Sequence, residues 1–87
     1  MALIDDFNAA VATSKELTKR PSNEELLELY GLYKQATEGD INEERPFGFD
    51  FKAIAKWQAW ESKKGITKDQ AMQDYIKLMA QLKENYS

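Results

Sequence analysis

Eleven residues, Gly39 to Phe49, separate two stretches of helical periodicity, and they constrain the fold more than any other part of the chain. They carry turn formers at Arg45-Pro46 and Gly48, and aromatics at Phe47 and Phe49. This is long for a helix–helix link. Extended, such a segment spans roughly 35 Å. The helix before it, at about 16 residues, is only about 24 Å long. The connector can therefore run back along that helix and start the next one parallel to it. The geometry is that of a bundle with an overhand crossover.

The flanking segments read as four helices. From Leu3 to Leu17, Leu3, Phe7, Ala10, Val11 and Ser14 recur at helical spacing, with Asp5 and Asp6 in the first turn and Lys15 in the last. Pro21 ends that run. Ser22 and Glu25 form a capping box for a second helix that ends near Thr37, with Gly39 as a left-handed stop. Asp50 caps a third helix, Phe51 to about Lys63, in which Trp57 reads as a deeper packing residue than Trp60. Thr67 and Gln70 form a second capping box for the fourth helix, Lys68 to about Asn85. Its apolar stripe is Ala71, Met72, Tyr75, Ile76, Met79, Leu82 and Tyr86. The short link between helices three and four makes them antiparallel. The prediction is an all-α four-helix bundle, up-down-down-up, formed by one domain over residues 1–87.

Composition removes most chemistry. The chain has no cysteine and no histidine, so disulfides, thiolate catalysis and the commonest general base and zinc ligand are absent. No metal site or catalytic residue is expected. Glu24, Glu25, Glu28, Glu43 and Glu44 read as caps and solvated faces rather than catalytic pairs. A net charge of −3 argues against a general nucleic-acid binder. No secretory signal or membrane span is visible.

One helical face stands apart. Tyr30, Tyr33 and Lys34 fall at i, i+3 and i+4, which brings two phenols and an ammonium together within about one turn. Periodicity alone reads Tyr30, Tyr33 and Tyr75 as core tyrosines and Lys34 and Lys56 as solvated lysines. Gly31 costs this helix roughly 1 kcal/mol against alanine. Either packing tolerates it, or its bare backbone allows a close approach.

Residues Tyr30 to Asn42, Tyr-Gly-Leu-Tyr-Lys-Gln-Ala-Thr-Glu-Gly-Asp-Ile-Asn, resemble the tyrosine–lysine signature of the acyl-CoA-binding protein family. Arg45-Pro46, Asp50-Phe51-Lys52, Ala55-Lys56-Trp57-Gln58-Ala59-Trp60, Ala71-Met72 and Tyr75-Ile76 continue it in register. The resemblance runs from about Phe7 to Tyr86. Gly31, Ile54 and Phe47-Gly48-Phe49 depart from the usual pattern.

The resemblance implies a cytoplasmic, monomeric carrier and buffer of long-chain acyl-CoA thioesters that serves lipid metabolism. It implies an up-down-down-up bundle and no cofactor beyond that ligand. By matching positions, Tyr30, Lys34 and Lys56 would contact the 3′-phosphate, Tyr33 would stack on adenine, and Tyr75 would close the site. Lys15 would lie near the mouth and Lys52 at the edge. Gly31 and Leu32, inside the signature, complete the expected ligand-binding set. Leu26, Leu27, Leu29, Ile54 and Ala55 are the candidate walls of an acyl groove. Expected partners are acyl-CoA and, transiently, membranes or acyl-CoA-using enzymes. The alternative is a helical protein-interaction module that uses the Tyr–Lys face. An enzyme acting on acyl-CoA is poorly supported without histidine or cysteine.

Overall fold

The computed structural model describes residues 2–86; Met1 and Ser87, the ends of the expected domain, lie outside the described residues. Four helices make an all-α bundle with up-down-down-up topology: α1 (Leu3–Ser14), α2 (Asn23–Glu38), α3 (Phe51–Glu61) and α4 (Lys68–Tyr86). The inner pair is α2 and α4. Helix α1 rests on α4, and α3 rests on α2. Among the described residues, no helix is long and apolar enough to cross a membrane.

The ends of the helices follow from their caps. At α2 the Glu25 amide donates to Ser22 Oγ (3.1 Å) and the Ser22 amide donates to Glu25 Oε1 (2.9 Å), closing the capping box. Asp50 accepts from the Ala53 amide at 3.1 Å and caps α3. The box at α4 closes only by half. The Gln70 amide donates to Thr67 Oγ1, but the Gln70 side chain turns to Asp74, four residues on, at 2.9 Å.

Two helices stop earlier than periodicity predicts. Helix α1 ends at Ser14, where the Thr13 and Ser14 hydroxyls donate back to the carbonyls of Ala9 and Val11. Such side-chain bonds compete with helix continuation. After Glu61, α3 tightens into i→i+3 bonds, Lys63 to Trp60 and Lys64 to Glu61, and Gly65 follows at φ 94°. Gly39 takes the positive φ expected of it, 83°, but its ψ of −152° sends the chain out extended rather than into a left-handed turn.

The crossover is tied down by both indoles. Trp60 N–H donates to the Gly39 carbonyl and Trp57 N–H to the Glu43 carbonyl, each at 2.8 Å. Trp60 is the deeper of the two, fully buried, while Trp57 is half-buried, which reverses the expected order. Trp60 lies beside the end of α2, where its indole reaches Gly39 and the Lys34 side chain lies over its ring. Asp40 adds a third tie by accepting from the Gln35 amide (2.8 Å) and the Gly65 backbone (2.9 Å). Those two bonds, the Gly65 one foremost, hold its carboxyl below the usual aspartate range.

The core lies between α2 and α4, with Phe7 of α1 reaching into it. Leu29, Leu32 and Ala36 meet Ala71, Tyr75, Met79 and Leu82, the buried part of the predicted α4 stripe. At the other end of the bundle, Tyr86 O–H donates to Glu25 at 2.6 Å, and the Tyr86 carbonyl accepts from the Lys19 amide at 3.0 Å. With Gln35 bonded to the Ile66 carbonyl (2.7 Å), these contacts set α2 and α4 antiparallel.

Candidate functional site

Helix α1 rests on α4 rather than on α2, which leaves a gap between α1 and α2, and a second groove runs along the contact of α2 with α3. Between α1 and α2 lies a groove of about 370 Å³. Its floor is Tyr75. Its walls are Val11, Ser14 and Leu17 on one side and Leu26, Leu29, Tyr30 and Tyr33 on the other, with Lys15 at the rim. Between α2 and α3 lies a larger groove, about 610 Å³, walled by Leu26, Leu27, Tyr30, Phe51 and Ala55, with Arg20, Lys52 and Lys56 bringing positive charge. Leu26 and Tyr30 line both. The two grooves therefore meet along one edge of α2, and both volumes fall in the range of small-molecule sites.

An aromatic cluster builds the α1–α2 groove. Phe7 is buried and lies 5.2 Å from Tyr75 edge-on, with its ring stacked 6.1 Å from Tyr33. Tyr33 is 40% exposed, so one ring face is packed and the other is open to the groove. Burial pushes the Tyr75 phenol above its usual range, with Ser14 opposing, so it stays a neutral hydroxyl at the floor.

Cations stand around Tyr30. The Lys56 ammonium lies 5.5 Å over the Tyr30 ring. Lys34, one turn from Tyr30, points elsewhere: it pairs with Glu38 and lies 4.8 Å over the Trp60 ring. Glu38 holds the Lys34 ammonium above its usual range, with burial opposing, so the charge is secure at neutral pH.

The structure thus brings Lys15, Tyr30, Tyr33, Lys52, Lys56 and Tyr75 to the two grooves. Leu26, Leu27 and Ala55 wall the α2–α3 groove, whereas Leu29 belongs to the α1–α2 groove. Ile54 is buried and lines neither. Gly31 and Leu32 do not face the grooves either. Successive helical residues turn by about 100°, which points Gly31 at the α3 backbone and Leu32 into the core. The close approach at Gly31 is made by Ala59 of the same chain.

Sequence reasoning missed Phe7, Arg20 and Phe51 as site residues, and Glu38 altogether. Phe7 was visible as part of an apolar stripe. Its neighbour Tyr33 is 26 residues away in the chain, and nothing local announces that contact.

The chain also resembles proteins already known. A family profile described as acyl CoA binding protein matches residues 5–79. The acyl-CoA-binding protein of Brassica napus is 50% identical over 84 residues, covering 97% of this chain and 91% of that protein. Acyl-CoA-binding protein homolog 1 of Caenorhabditis elegans is 49% identical over 80 residues, covering 92% and 93%. The crystal structure of Oryza sativa Acyl-CoA-Binding Protein 2 superposes with a TM-score of 0.92 at 43% identity, covering 97% of this chain and 93% of that one. A profile match over most of the length, close relatives and a shared architecture agree with the tyrosine–lysine signature, and the chain belongs to the acyl-CoA-binding protein family.

Proposed function

We propose that this chain binds long-chain acyl-CoA thioesters across both grooves and works as a monomeric carrier and buffer in the cytoplasm. The observation that carries this reading is the junction at Tyr30 and Leu26, where an aromatic groove meets a cation-rimmed apolar one. Acyl-CoA is an amphiphile with the same division: a nucleotide with a 3′-phosphate at one end and an alkyl chain at the other.

In this reading adenine stacks on the open face of Tyr33, where aromatic stacking contributes roughly 1–3 kcal/mol per base. Tyr75 closes the site from below. The 3′-phosphate sits by Tyr30 and receives the ammonium groups of Lys56 and Lys34, which serve it as point charges. Lys15 and Lys52 lie at the rims. The tail runs along Leu26, Leu27, Ala55 and Phe51. Each sheltered methylene contributes about 0.8 kcal/mol. The chain supplies no group for thioester cleavage in this scheme and acts as a carrier, one binding domain over residues 1–87. It takes its ligand from membranes and passes it to enzymes that use it. A protein-interaction module on the Tyr–Lys face fits less well, because Tyr75 lies at the floor of a concavity rather than on a presented face.

Calorimetric titration with a long-chain acyl-CoA, with CoA and with the free fatty acid tests the reading. Tight binding of the thioester, far above either half alone, is expected. Equal weak binding of all three ligands would overturn it.

A further inference from the structure

We propose that Glu38 is a built-in competitor for the anion that Lys34 binds, and so sets how far the chain favours a ligand carrying the 3′-phosphate. The proposal rests on the assignment of Lys34 to that phosphate.

Lys34 shares one side of α2 with Tyr30. Tyr30 lines both grooves, and Lys34 lines neither. Its ammonium is drawn one turn along the helix to the Glu38 carboxylate and held over the Trp60 ring. The Lys34 side chain is only 20% exposed in this arrangement, so the pair is partly shielded from solvent.

Helix stability does not account for an acid at position 38. Glu38 lies in the last turn of α2, where the helix dipole disfavours a negative charge. A lysine four residues before a glutamate is also the weaker of the two orders. Among the described residues, the Glu38 carboxylate pairs with Lys34 alone.

To an ammonium, a carboxylate oxygen and a phosphate oxygen are the same kind of acceptor. Held at Glu38, Lys34 lines neither groove, so its ammonium leaves Glu38 to meet a phosphate bound beside Tyr30. The gain on binding is the difference between two ion pairs rather than one whole pair. The Trp60 ring is fixed by its own bond to Gly39, so it can hold the lysine stem in either state.

A double-mutant cycle decides the matter. Palmitoyl-CoA and its 3′-dephospho analogue are titrated into the wild type, Glu38→Gln, Lys34→Met and the double variant. Glu44→Gln, at an exposed acid of the crossover, controls for loss of one negative charge. Glu38→Gln is expected to bind palmitoyl-CoA roughly two- to fivefold tighter, the range of a partly exposed ion pair. The dephospho analogue is expected to bind unchanged, and the gain to vanish when Lys34 is Met. The competitor role is overturned if Glu38→Gln binds no tighter than wild type, if the gain survives in the Lys34→Met background, or if Glu44→Gln matches it. If the wild type binds both thioesters equally, the phosphate assignment itself fails, and the competitor role with it.

Discussion

Gly31 of α2 passes so close to the Ala59 carbonyl of α3 that a Cβ at position 31 would overlap it. Two effects oppose each other in Gly31→Ala. Helix propensity favours alanine by roughly 1 kcal/mol. Overpacking against another helix costs typically about 1–3 kcal/mol, and here the obstacle is a backbone carbonyl that no rotamer change can move. Overpacking wins: the variant is expected to lose about 1 kcal/mol in urea unfolding, with an unchanged m-value. A more stable variant would show that α3 can move away freely.

Tyr33 separates ligand stacking from folding. Tyr33→Phe keeps the ring and its packing on Phe7, and should bind acyl-CoA within about twofold of wild type, since stacking and not the hydroxyl carries the contact. Tyr33→Ala should weaken binding by about tenfold, in line with the loss of one stacked base. Calorimetry reads both. Equal losses in the two variants would mean that the hydroxyl, not the ring, contacts the ligand.

The three exposed phenylalanines divide into wall and bystander. Phe47, Phe49 and Phe51 are 88%, 87% and 72% exposed, and of these Phe51 lines the α2–α3 groove. Replacing either Phe47 or Phe51 by serine should change stability by less than about 0.5 kcal/mol, as for other surface sites. Affinity across a series of acyl-CoA chain lengths should tell them apart. Phe51→Ser is expected to flatten the gain per methylene, and Phe47→Ser to leave it intact. The same slope in both variants would take the tail out of this groove.

Asp40 makes acid stability diagnostic. Its folded-state carboxyl titrates below the ordinary value of 3.8, because the Gly65 amide and the Gln35 side chain donate to the ionised form. A depressed carboxyl contributes stability above its unfolded value and loses that contribution as pH falls through the folded one. Asp40→Asn should therefore be less stable than wild type at pH 7, and the gap should close as the pH is lowered below about 4. Denaturant unfolding at several pH values checks this. A gap that stays constant down to acid would mean that the tie does not depend on charge.

What was legible in the sequence was local. The Ser22–Glu25 box, the Asp50 cap and the α4 stripe each depend on residues within a turn or two of one another, and each appears in the structure. The crossover was legible too, because it follows from the length of a connector against the length of a helix. What was hidden is set by distant contacts. The depth of Trp60 depends on Gly39, 21 residues away, and the role of Gly31 on Ala59, 28 residues away. Glu38 was hidden for another reason: four residues after a lysine, it looks like an ordinary surface pair.

The inner-pair arrangement of α2 and α4 has a consequence for the durability of the molecule. Helices α1 and α3 flank α2 with a groove on either side and are not packed on each other, so a ligand filling both grooves would act as mortar binding each outer helix more firmly to α2. A ligand that binds only the folded chain raises its stability by mass action. The empty chain should therefore be cut first by proteases at an outer helix, and loading should slow that cleavage more than cleavage within the inner pair. Limited proteolysis with and without acyl-CoA, with the fragments identified by mass, would show it. Protection spread evenly over all four helices would mean that the cargo braces none of them in particular.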